Sequence, residues 1–199
     1  NMLAGIATNK NICYVLTGDD FVFDLADPED PKMFAVSNDY ALQGIISPIV
    51  AMLVPIASRR IKFGNRVKFA FVLDEMTTFK VNDFEGMLSV LREFCAAFLV
   101  LTQSITKFDK LYGKEDRSSI LANSANLFIG RTKDPEALKT YPLLYGKEEK
   151  VKKSMSAGSS SGRSNSSVTT SKQKEEVYDS KTFVELDTGE FILSAGDSI

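Results

Sequence analysis

The stretch KFAFVLDEM, residues 68–76, decides the fold. An apolar run rises from a basic flank and stops on two adjacent carboxylates, Asp74 and Glu75. The pattern predicts a strand over 67–73, apolar nearly throughout as the strands of a parallel sheet are. Downstream, NDFEGMLSVLREFC (82–95) has Phe84, Met87, Leu88, Leu91 and Phe94 at helical spacing, with Asn82 and Glu85 placed as a capping box. AAFLVLTQS (96–104) is the next short apolar run, again ending abruptly in polar residues.

Working outward, helical stretches are expected around 105–112 and 117–125, then a strand at NLFIGR (126–131). DPEALKTYPLLYG follows as a helix, with Asp134 at its cap and Pro135 at its first position. Toward the N-terminus, ICYVL (12–16) reads as a strand fragment closed by TGDD, PEDP (28–31) as a break and MFAVS (33–37) as a strand. Ser47 and Pro48 suit the start of a helix running to Arg59 and Arg60, with Pro55 kinking it or resetting its start. Its apolar stretch IISPIVAMLVPIA (45–57) is shorter than the roughly 20 residues that cross a bilayer and reads as a buried helix.

Strand and helix in alternation give an α/β domain over residues 1–146, mainly a parallel sheet with helices on both faces. From 147 the composition changes. KEEKVKK is a charge cluster and SMSAGSSSGRSNSSVTTS is half serine, so 147–176 is expected to be a flexible charged and Ser-rich loop. Residues 177–199 recover aromatic and branched side chains around DTGE, a hairpin-like turn, and are expected to pack back on the sheet as a terminal strand or hairpin.

In open parallel sheets ligands gather beyond the carboxyl ends of the strands. An apolar strand ending in Asp-Glu there is a Walker B pattern: Asp74 to hold Mg²⁺ through water, Glu75 to orient and polarise a water opposite a γ-phosphate. At the end of the next strand, the Gln103 amide has the chemistry to bind that phosphate or water. The plain alternatives are that the acids open a solvated loop and that Gln103 caps the following helix. No G-x-x-x-x-G-K-[ST] loop occurs: both YGKE segments lack the first glycine and the hydroxyl, and AGIATNK lacks a second glycine.

The bulk numbers narrow the field. With 199 residues and 44% hydrophobic content the chain can bury a core, and a net charge of −2 gives no general pull toward nucleic acid or anionic lipid. The absence of histidine removes Ser-His-Asp and Cys-His catalysis and the usual zinc hydrolases. Cys13 and Cys95, without CxxC spacing, fit a reducing compartment.

Taken together, FVLDE, FLVLTQSITKFDKLYGKE, ILANSANLFIGRTKDPEALKTYPLLYGKEE, the serine-rich break and VYDSKTFVELDTGEFIL, with TGDDF upstream, resemble the C-terminal half of the TraG/TraD family. These are the coupling ATPases of conjugative type IV secretion. The resemblance implies a RecA-like P-loop NTPase motor fold using ATP and Mg²⁺. It also implies a homo-hexamer on the cytoplasmic face of the bacterial inner membrane, held there by an N-terminal anchor. Its implied partners are single-stranded DNA, relaxosome proteins and components of the secretion channel. Asp74 and Glu75 match the Walker B acids, Gln103 the glutamine of the following strand, and Arg131 is a candidate arginine finger acting on a neighbouring subunit's nucleotide. A surface ion pair is the plain alternative for Arg131. The chain is expected to begin after the P-loop and, alone, to be inactive as an ATPase. Two other functions stand open: an interaction module that docks secretion or relaxosome proteins without catalysis, and a related FtsK/HerA-like DNA translocase.

Overall fold

The computed structural model describes residues 2–19, 24–59, 61, 67–160 and 163–195, and the chain divides into two compact units, Asn1–Ser124 and Ala125–Ile199.

In the first unit, α1 (Met2–Thr8) and α2 (Lys10–Thr17) are joined at Asn9, whose side chain accepts from the amides of Asn11 and Ile12. That cap starts a helix through ICYVL, where a strand was expected. The TGDDF motif and Arg60 fall partly or wholly outside the described residues. MFAVS carries no regular element: it has no ladder neighbour among the described residues, and Met33 is exposed. α3 (Gln43–Ser58) follows a 3₁₀ turn at Tyr40–Leu42 and begins before the expected Ser47 start, with Pro48 and Pro55 both inside it. Each proline removes one helical N–H. The helix persists by burying Ile49, Val54 and Ala57, while Met52 and Ile56 remain exposed, so it is covered on one side rather than throughout. With the 3₁₀ turn it makes 19 residues, long and apolar enough by length and composition to cross a bilayer.

β1 (Phe69–Leu73) and β2 (Ala96–Val100) are parallel, in register from Phe69 opposite Ala96 to Leu73 opposite Val100. The link between them is a 3₁₀ turn at Met76–Thr78, α4 (Phe84–Leu91) and a further 3₁₀ turn at Arg92–Phe94. On the packed face Phe71 stacks on Phe98 with ring centroids 4.7 Å apart, and Phe84 of α4 meets Phe98 edge-on at 5.6 Å. The expected capping box is not formed. Asp83 caps α4 in a left-handed conformation without a side-chain bond, and Glu85 accepts from the Ser119 hydroxyl instead.

α5 (Ile105–Tyr112) and α6 (Lys114–Ala122) are separated by Gly113, whose φ of 94° suits only glycine. Asp109 and Arg117 join them through an ion pair of 3.1 Å, each side chain only 11% exposed.

The second unit holds β3 (Asn126–Gly130), α7 (Pro135–Tyr145), β4 (Lys147–Ser160), β5 (Arg163–Glu176), α8 (Ser180–Glu185) and β6 (Phe191–Ala195). β3 and β6 pair antiparallel over Ile129, Phe183 and Ile192, the buried centre of the unit. Asp134 caps α7 by accepting from the Glu136 amide, as its sequence predicts. The segment expected to be a flexible loop is instead an antiparallel ribbon, β4 on β5, paired from Lys147–Glu176 to Ser160–Arg163. Ladder hydrogen bonds satisfy such a backbone without any core. Cross-strand ion pairs add to it, Lys152 with Glu175 and, diagonally, Lys172 with Glu149. In the tail, Asp179 caps α8 through the Thr182 amide, so DTGE turns from a helix into β6 rather than closing a hairpin; residues 196–199 lie outside the described residues.

Removing one partner of a buried ion pair strands the other, whereas replacing both by apolar groups is close to neutral. Arg117→Met alone is therefore expected to destabilise the chain by about 3 kcal/mol, and Asp109→Leu with Arg117→Met by less than half of that. Urea unfolding of both variants checks this.

Candidate functional site

The β1–β2 ladder continues past both strands. The Leu101 amide donates to the Leu73 carbonyl at 3.0 Å, and the Met76 amide donates back to the Leu101 carbonyl at 3.2 Å. These bonds pin the turn carrying Asp74 and Glu75 to the start of the segment carrying Gln103. Met76 is fully buried at 0% exposure, so the turn cannot swing outward without uncovering it. Three of the four residues singled out from sequence thus stand at one rim of one parallel pair. Asp74 is exposed, Glu75 half-buried and Gln103 exposed.

Glu75 has left-handed backbone, φ 48° and ψ 51°. For a residue with a Cβ this costs about 1–2 kcal/mol and needs compensation. Its carbonyl receives two donors from Thr78, the amide at 2.8 Å and the hydroxyl at 2.9 Å. Its carboxylate accepts from the Thr77 hydroxyl at 3.4 Å.

Ser104, not Gln103, caps α5, accepting from the Lys107 amide at 3.2 Å. Thr102 braces that cap by accepting from the Ser104 amide. The Gln103 amide is left at the rim without a hydrogen-bond role in the cap. Arg131 lies in the second unit, immediately after β3, exposed and without an ion-pair partner among the described residues.

The donors at the rim of the first unit are carboxylates, hydroxyls and an amide, all hard oxygen ligands of the kind Mg²⁺ takes. Among the described residues no three His, Cys, Asp or Glu side chains gather. A cation here would therefore depend on Asp74 together with water and phosphate oxygens, the way Mg²⁺ is ordinarily held beside a nucleotide. The residues present fit that ion.

Sequence motifs missed the residue that ties the two loops together. The Tyr112 hydroxyl, at the end of α5, accepts from the Val81 amide at 3.0 Å and donates to the Phe79 carbonyl at 3.1 Å. It latches the segment after the acids to the helix after Gln103. Burial pushes its phenol from the ordinary 10.0 up to about 12, against the opposing pull of the Val81 N–H. A tyrosine at helical spacing in an apolar stripe reads as core; only the partner amide and carbonyl, 31 and 33 residues away in sequence, reveal the latch.

Comparison with known proteins gives a consistent answer. The family described as "TraM recognition site of TraD and TraG" matches residues 68–186. Among solved structures, the plasmid coupling protein TrwB in complex with ADP and Mg²⁺ is similar at 16% identity and a TM-score of 0.68, covering 90% of this chain and 41% of that one. TrwB with the non-hydrolysable GTP analogue GDPNP is similar at 16% identity and a TM-score of 0.67, covering 87% and 40%. The chain thus spans about two fifths of the length of these structures. The likeness shows the fold, RecA-like α/β. No curated protein matches.

Tyr112→Phe leaves a buried amide and carbonyl without partners and is expected to cost about 1–3 kcal/mol in urea unfolding at neutral pH. The raised phenol also gives a pH signature. A group held neutral in the fold contributes stability that is full below the unfolded value of 10.0 and is lost as pH rises toward about 12. The wild-type chain should show that alkaline loss and the Phe variant should show less of it, the remainder coming from Tyr145, whose phenol is also raised by burial.

Proposed function

Because the chain belongs to the TraG/TraD family, we propose that it is the carboxylate-bearing part of an ATP-driven coupling protein that delivers single-stranded DNA and its relaxase to a conjugative type IV secretion channel. The observation that supports this most is the rim itself, where the parallel register brings Asp74, Glu75 and Gln103 to one place. Asp74, exposed at the tip of β1, would hold Mg²⁺ through water, where the ion would supply positive charge against the phosphate oxygens of a nucleotide. Glu75 orients a water and takes its proton. The Gln103 amide binds the same water or the terminal phosphate and transmits its presence to α5. Arg131 is the residue that acts in trans, in a homo-hexamer anchored to the cytoplasmic face of the bacterial inner membrane.

The phosphate-cradling loop is supplied from outside these 199 residues, since the sequence contains no G-x-x-x-x-G-K-[ST]. A second reading has its own support: the family description names TraM recognition, so relaxosome proteins dock on the region 68–186 whether or not its acids act.

One substitution separates the two. In the complete protein, Glu75→Gln is expected to lower ATP turnover by about 10²- to 10⁴-fold, the range for loss of a general base, with nucleotide affinity retained. Steady-state hydrolysis and equilibrium binding of a fluorescent nucleotide measure both. Unchanged turnover would remove Glu75 from the chemistry and leave the docking function.

A further inference from the structure

The left-handed conformation of Glu75 is held by Thr78, and Thr78 in turn is held by a residue far away in sequence. The Asn38 side-chain amide donates to the Thr78 hydroxyl at 3.4 Å and to the Ser47 hydroxyl of α3 at 3.1 Å. With Asn38 donating to it, the Thr78 hydroxyl is left to direct its own proton at the Glu75 carbonyl, 2.9 Å away. The chain of bonds runs Asn38 to Thr78 to Glu75, from the segment before α3 into the site. At its origin the Asn38 Oδ1 is buried and has no hydrogen-bond partner. A buried amide oxygen left bare is unfavourable, so its position calls for a reason. Neither Asn38 nor Thr78 belongs to the strand-end motif.

We propose that Asn38 and Thr78 are positioning residues of the nucleotide site, which act through the Glu75 backbone to aim its carboxylate. The proposal rests on the reading of Glu75 as the base. Without the Thr78 hydroxyl, the Glu75 carbonyl keeps only the Thr78 amide; its backbone relaxes toward the right-handed or extended region, and its side chain leaves the direction fixed by the β1 turn. Substrate binding does not depend on that direction, but turnover does. Misplacing a catalytic group by about 1 Å costs on the order of a hundredfold in rate.

The test uses the complete protein with Asn38→Ala, Thr78→Val and Thr78→Ser. Asn38→Ala and Thr78→Val are expected to lower kcat by about tenfold to a hundredfold with KM for ATP nearly unchanged. Thr78→Ser, which keeps the hydroxyl, should retain most of the wild-type rate. The double variant Asn38→Ala, Thr78→Val should be no slower than the worse single one, because both act through one bond. A second readout needs no turnover: in nucleotide-free protein, amide exchange over residues 75–79 should quicken about tenfold in Asn38→Ala and Thr78→Val but not in Thr78→Ser. If Asn38→Ala does not fold, the Val and Ser pair at Thr78 decides. Equal kcat for Val and Ser, or lowered thermal stability with unchanged kcat, overturns the proposal. Glu75→Gln is the control: if it keeps turnover, the reading of the base has failed; if it loses turnover while Thr78→Val does not, only the positioning has.

Discussion

Everything at the rim depends on two backbone hydrogen bonds, Leu101 to Leu73 and Met76 to Leu101. They extend a parallel ladder by a step beyond its last side-chain pair and convert two loop starts into one rigid unit. A parallel register offers no freedom for partial adjustment, since a slip by one residue would turn Phe71 and Leu73 out of the core. Met76 reinforces the constraint from below: its complete burial makes any outward movement of the acids expose a large apolar side chain. Asp74, Glu75 and Gln103 are therefore placed together by core packing, with no interaction among their own side chains required.

That arrangement carries unfavourable terms of its own. Glu75 is in a left-handed conformation without being glycine, and the Oδ1 of Asn38, which reaches Glu75 through Thr78, is buried without a partner. Each costs free energy that the surrounding structure offsets. The offset comes from backbone-directed side chains: Thr78 on Glu75, Tyr112 on Phe79 and Val81, Ser104 on Lys107. None of these contacts uses the Asp74 carboxylate or the Gln103 amide, because the scaffold's polar needs are met from elsewhere.

The sequence was legible where local chemistry and tertiary packing ask for the same thing. β1, β2, α5 and α7 fall where apolar runs and caps place them, Asp134 and Pro135 most clearly. It was illegible where the deciding partner is remote. Glu85 left its capping box for Ser119, a residue on α6. ICYVL is a short apolar run before a turn, as a strand fragment would be, yet the cap at Asn9 commits it to a helix. The serine-rich segment has nothing to bury, and composition alone does not show that two such stretches pair with each other over 14 residues each. Of the candidate site, the acids and Gln103 were readable because strand ends carry a pattern. Asn38, Thr78 and Tyr112 were not, because a hydrogen bond to a distant backbone leaves no periodicity.

Coverage of the β1–β2 pair explains why so much depends on those few bonds. Phe71 and Leu73 are packed, but Val72 and Leu99 on the opposite face are 62% and 50% exposed. Parallel strands ordinarily draw their stability from two covered faces, and here one face supplies it among the described residues. A pair covered on one side gains roughly half of the apolar burial it would otherwise have, at about 25 cal/mol per Å². Register must then be specified by directional contacts more than by bulk burial. Leu101, Met76 and the Tyr112 latch supply them at the end of the strands where the acids sit.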